Sequence, residues 1–224
     1  MSGQFFVRAK TLSIVDNFIA LEREKNVRIA PMQKTHSQSY PAGSIFGMLA
    51  KKGIHENILS KIYDAFERFE FSNTPSVGEG IEWYNKNPKT SVYDALKKIT
   101  LDSHSVRVAE NALFNKEIDI DQRSYVSLFG LVHDIGKSSK MCDFYGVHSR
   151  SHELASSELI EILFSNSEYE TLGKNFSKEL LMLDEVKHGD IPYKEFGFYG
   201  KALHEADALA REQELKTLGI SYEK

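Results

Sequence analysis

The sequence predicts an all-α protein. Apolar residues recur at three- and four-residue spacing along most of the chain, proline occupies 5 of 224 positions, and the two-residue alternation of a half-buried strand is hard to find. With 41% hydrophobic residues, the chain can bury one sizeable core.

Taken in order, Leu12, Val15, Phe18, Ile19 and Leu21 form a first apolar stripe, followed by the polar, proline-flanked loop "APMQKTHSQSYPAG". Ile54, Ile58, Leu59, Ile62, Tyr63 and Phe66 mark a second helix of very regular spacing. The irregular "FEFSNTPSVGEG" at 69–80 then separates an N-terminal helical extension, 1–90, from a domain over 91–224. In that domain helical patterns run over 91–115, 121–134, 151–165, 177–188 and 199–216. Gly136 is placed to end the second, and Ser149 or Ser151 to cap the third. The extension carries no nameable motif, and its amphipathic faces suit packing onto the core or onto another subunit. Trp83 and Tyr84 are one aromatic pair without a basic groove, too little for a base-stacking platform.

A net charge of −4 denies the chain the global basic field on which non-specific nucleic-acid binding leans. Cys142 is the only cysteine, so no internal disulfide forms and a thiolate-rich zinc knuckle is excluded. Arg8, Lys10 and Asp16 interrupt any secretory segment, and no 18-residue apolar stretch follows. The expectation is a soluble, cytoplasmic protein without a membrane partner.

The chemistry starts at "LFGLVHDIGKSS", residues 128–139, where an apolar run ends in His133 and Asp134. Such groups are costly to bury unless something binds them. His104 shares the inward stripe of Leu101 and Val108, and His152 stands in the first turn of "SHELASSELI". His188 closes "ELLMLDEVKH", and Asp207 lies on the apolar side of "ALHEADALA". Nitrogen- and oxygen-bearing groups on successive helices cancel their desolvation by converging, and a divalent cation is the natural centre.

His104, the His133-Asp134 doublet and Asp207 reproduce the H…HD…D signature of the HD superfamily of metal-dependent phosphohydrolases, which "LVHDIGK" resembles closely. The match spans about residues 101–212. The resemblance implies an HD-domain helical bundle with ligands on its central helices, and phosphate-ester hydrolysis. In the two-metal branch two further histidines precede the last aspartate, and His152 and His188 look like these. Asp134 would then bridge the ions, with His104, His133 and Asp207 on one and His152 and His188 on the other. The glycine-tyrosine-proline tripeptide of the branch that cleaves cyclic dinucleotides is missing from "HGDIPY". The glutamate-aspartate pair of the guanosine-tetraphosphate hydrolases is replaced by Gly136-Lys137. The doublet with glycine-lysine is also compatible with the HD nucleases of CRISPR systems.

Imidazole and carboxylate ligands suit manganese, iron, zinc, nickel or cobalt, and iron or manganese is expected if two ions bind. Such ions lower the pKa of bound water and clamp the attacking and leaving oxygens of an in-line displacement. Asp134 would orient the nucleophilic water, and Lys137 would reach a phosphate oxygen. Lys140 and Arg150 could widen a phosphate-attracting rim. His148, four residues before His152, is assigned a substrate or supporting role; His204 is expected to be exposed, with support of Asp207 as the alternative; His36 and His55 are structural or surface residues. The expected activity is hydrolysis of a phosphate ester of a nucleotide or related small molecule. The alternatives are a metal-dependent nuclease on single-stranded nucleic acid, less favoured by the charge, and a non-catalytic regulatory HD module.

Overall fold

The computed structural model describes residues 40, 41, 43–77, 94–187 and 197–220. The stripe from Leu12 to Leu21, His36, Trp83, Tyr84 and His188 lie outside the described residues. All described residues fall within one compact unit, Ser39–Lys224.

The unit is all-α. Its helices are α1 (Ile45–Lys51), α2 (Glu56–Arg68), α3 (Leu101–Phe114), α4 (Ile120–Val132), α5 (Ser139–Tyr145), α6 (His152–Phe164), α7 (Glu170–Lys187) and α8 (Phe198–Thr217). Short 3-10 turns occur at Phe71–Asn73 and Ile135–Lys137. Among the described residues the only strand-like pairing is an isolated antiparallel bridge between Pro75 and Thr100. No described helix is long and apolar enough to cross a membrane.

The centre of the unit is α4, in which every residue from Val126 to Val132 is buried. This explains the greasy run before the doublet: a helix packed on all sides has no polar face. Gly130 lets α3 lie close, since a Cβ there would stand 3.0 Å from the Ala109 backbone nitrogen. On another side the Phe129 ring stacks on Phe176 of α7 at 4.3 Å, and Phe164 of α6 meets Phe176 edge-on at 5.9 Å. The same core takes in Ile45, Leu49, Ile58, Leu59, Ile62, Phe66 and Phe71, so α1 and α2 are built into it. Each side chain removed from water in this way contributes roughly 1.5–3 kcal/mol before entropy is counted.

Polar residues set the helix starts. The Ser44, Ser138 and Ser151 hydroxyls accept from the amides of Gly47, Met141 and Leu154, and His55 Nδ1 accepts from Asn57 N. Ser151, not Ser149, is therefore the α6 cap. Three boundaries differ from the periodicity. The helix expected over 91–115 is interrupted: residues 94–96 are helical, a turn follows, and α3 begins at Leu101, because Ile99 O accepts from Ser76 N at 2.8 Å and Leu101 N donates to Thr74 O at 2.7 Å, which leaves Thr100 extended. Helix α4 stops at Val132 rather than at Gly136, and the doublet leads into the 3-10 turn that contains this glycine. Helix α7 begins at Glu170 rather than 177. Helices α1 and α5, two turns each, are too short to display a period and were not expected.

Candidate metal centre

Four elements bring the polar groups together. Helix α3 contributes His104, fully buried on the stripe of Leu101, Val108 and Ala112. The end of α4 contributes His133 and Asp134, each 5% exposed. Helix α8 contributes Asp207, one turn after Leu203 and one before Ala210. Helix α6 contributes His152 from its first residue.

The two buried histidines are fixed in the same tautomer. His133 Nδ1 lies 2.8 Å from the Gly130 carbonyl, which only accepts, so in the neutral imidazole Nδ1 carries the proton and Nε2 the lone pair. His104 Nδ1 lies 2.9 Å from Oε1 of the fully buried Glu214, with the same consequence. Both Nε2 atoms are buried without a hydrogen-bond partner, and so is Asp207 Oδ1. Asp207 keeps 39% of its side-chain surface open, but this oxygen is covered and stands 3.1 Å from His104 Nε2, out of line for a hydrogen bond. Asp134 Oδ2 lies 3.6 Å from His104 Nε2 and 3.3 Å from His133 Nε2. Ligand atoms of His104, His133 and Asp134 all fall within 4.8 Å of one another.

Buried polar atoms without a hydrogen-bond partner are expensive; those of His104 and His133 converge with Asp134, and Asp207 borders the group through His104. Imidazole nitrogens whose far nitrogen donates to a carboxylate or a carbonyl, beside carboxylate oxygens, form a donor set that fits a divalent transition metal.

Electrostatics keeps the carboxylates ionised. Burial pushes the Asp134 carboxyl up, but His133, Lys137 and His152 outweigh this and hold it well below the usual range. Burial likewise opposes ionisation of Asp207, and His104 and His133 pull it down. Burial disfavours the His104 cation, whereas Asp207 and Glu214 favour it, and the net direction is up.

The second oxygen of Asp134 faces elsewhere. His152 Nε2 lies 3.7 Å from Asp134 Oδ1 and 3.0 Å from Glu153 Oε1. The start of α6 is fixed from α7 by buried Asp184, which accepts from Ser151 Oγ at 2.7 Å and from Arg150 at 3.3 Å. Gly136 makes this arrangement possible: a Cβ there would stand 2.4 Å from the His152 carbonyl oxygen and 2.5 Å from Ser156 N. Its amide instead donates to Ser156 Oγ at 2.8 Å.

Lys137 does not face open solvent. Its ammonium donates to Asp134 Oδ2 at 2.5 Å and to the Ser76 carbonyl at 2.8 Å. Arg211 donates to the same carbonyl at 2.9 Å, to Ser76 Oγ at 2.8 Å and to Glu214 Oε2 at 2.9 Å. His148 and His204 are exposed. His55 caps α2 and pairs with Glu168 at 3.2 Å, and Lys140 pairs with Glu70. An open cleft of about 550 Å³ between α3 and α8, lined by Arg107, Asn111, Phe114, Leu209 and Gln213, contains none of the converging groups.

Sequence reasoning missed Glu214, Arg211 and Ser76. A signal existed for Glu214, which stands seven residues after Asp207 and so on the same inward face of α8. Nothing local marks Ser76. Comparison with family models, characterised proteins and solved structures finds no match to this chain.

Proposed function

We propose that the chain is a metal-dependent phosphohydrolase of the HD type, hydrolysing a phosphate ester of a nucleotide or related small molecule. The observation that carries this reading is the convergence of ligand atoms of His104, His133 and Asp134 within 4.8 Å of one another, with both imidazole Nε2 atoms buried and without a hydrogen-bond partner and Asp207 Oδ1 3.1 Å from that of His104. These four residues would hold one divalent ion, with iron or manganese favoured. His152, facing the other oxygen of Asp134, would hold a second together with His188. Bound there, a divalent ion supplies Lewis acidity toward a phosphoryl oxygen and makes water acidic enough to attack at neutral pH.

The remaining work falls to the chain's own groups. Glu214 and the Gly130 carbonyl keep both imidazoles presenting Nε2. Ionised Asp134 accepts a hydrogen bond from the attacking water and orients it. Lys137 and Arg211 place two positive charges beside the centre, where they offset the negative charge that builds on phosphoryl oxygens. The single cysteine and the reducing setting it suits agree with cytoplasmic work on a soluble substrate.

The test is metal analysis of the purified chain, followed by assays on an aryl phosphomonoester, an aryl phosphodiester and single-stranded DNA with added manganese. Bound metal and turnover of an aryl ester that disappears in Asp134→Ala are expected. A chain that neither retains metal nor turns over an ester refutes the proposal, and cleavage of DNA alone transfers the site to a nuclease.

A further inference from the structure

We propose that Lys137 is a tethered counter-cation, which neutralises Asp134 while the centre is empty of metal and is displaced from it when an ion loads. The inference rests on the metal reading above and deepens it. Three observations carry it. The Lys137 ammonium is bound to Oδ2, the Asp134 oxygen that faces both histidine Nε2 atoms, so the ammonium and a cation held by those nitrogens compete for one oxygen. The lysine side chain is only 9% exposed, so the pair is buried rather than a solvated surface contact. The ammonium also has a second anchor, the Ser76 carbonyl, which Arg211 helps to fix from the other side.

Without the lysine, the ionised Asp134 would be a buried charge facing lone pairs, a strongly destabilising arrangement. With an ion in place, two positive charges on one carboxylate oxygen repel, and the ammonium moves off. It need not leave the site, because Ser76 still holds one of its three donors. The donor released by Asp134 then becomes free for an anionic oxygen of the substrate. Lysine thus changes partner with loading, and its availability for phosphate depends on the metal.

A purely structural lysine and a counter-cation differ in sign. The full chain, stripped with chelator, is titrated with manganese by calorimetry as wild type, as Lys137→Met and as Lys137→Gln, and the metal-free proteins are melted. The expected result is lower metal-free melting temperatures together with manganese binding at least about tenfold tighter in the variants, the factor that about 1.4 kcal/mol of removed competition represents. Glutamine can retain the hydrogen bond to Ser76 without the charge, and it carries the test should the methionine variant fail to fold. Manganese binding that is equal or weaker in the variants overturns the counter-cation and leaves the metal centre standing. Failure of wild type and variants alike to bind manganese overturns both.

Discussion

Substituting Gly136 by alanine tests how the doublet turn is positioned against α6. A Cβ at 136 would stand 2.4 Å from the His152 carbonyl oxygen, 2.5 Å from Ser156 N and 2.8 Å from Ala155 Cβ, and two of these are backbone atoms that cannot rotate away. Relief requires the turn and the helix to separate by about 1 Å, because ordinary contacts begin near 3.4 Å. Overpacking of this kind costs about 1–3 kcal/mol. The separation also breaks the Gly136 N to Ser156 Oγ bond, worth about 1 kcal/mol. A total of roughly 2–4 kcal/mol corresponds, for a unit of this size, to a fall in melting temperature of roughly 5–15 °C. The same movement carries His152 away from Asp134, so a second ion should be lost before the first. Thermal melting of the purified chain with and without manganese reads both effects. Gly43→Ala is the control: nothing lies within 4 Å of its Cβ, and a change within about 0.5 kcal/mol is expected. A Gly136→Ala melting temperature within about 2 °C of wild type would show that turn and helix are not in the contact described.

Glu214→Ala should destabilise the metal-free chain by about 2–4 kcal/mol, since it strands His104 Nδ1 and Arg211 beside an empty buried space. Glu214→Gln keeps the shape and should chiefly weaken metal affinity by about 10–100-fold, read by competition with a fluorescent chelator; unchanged affinity would remove Glu214 from the support of His104. His152→Ala is expected to reduce bound metal from two ions per chain to one, measured by elemental analysis, and an unaltered content would eliminate His152 as a ligand. Glu179, which accepts from Gly197 N at 3.2 Å, has its carboxyl pKa raised by burial from an ordinary 4.5. The folded state therefore favours its neutral form, and ionisation costs stability once the pH passes the raised value. Glu179→Gln should melt higher than wild type at pH 7 and equal to it at pH 4, and an advantage at pH 4 instead would reverse the assigned direction.

Much of the helical frame was legible because amphipathic periodicity is local. The stripe Ile58, Leu59, Ile62 and Phe66 and the stripe Leu101, His104 and Val108 follow from spacing alone, and both are buried as the spacing requires. His104 and Asp207 could be singled out because each is a polar residue at an apolar helix position. The short helices α1 and α5 were invisible, because two turns carry no period. The role of Gly136 was misread for a similar reason. A glycine after an apolar run looks like a helix stop, whereas here its lack of a side chain is used by another helix, which no local pattern records.

The sequence by itself determined that the chain folds as helices and that imidazoles and carboxylates sit on faces where water is excluded, because residue identity and helical period settle both. Only the tertiary structure decided which atoms meet. Glu214 reaches His104 across 110 positions and Arg211 reaches Ser76 across 135, so their pairing depends on the packing of α8 against the rest of the core. The partner of Lys137 was decided in the same way: whether its charge faces solvent, substrate or Asp134 depends on distances through space, and the fold sets those.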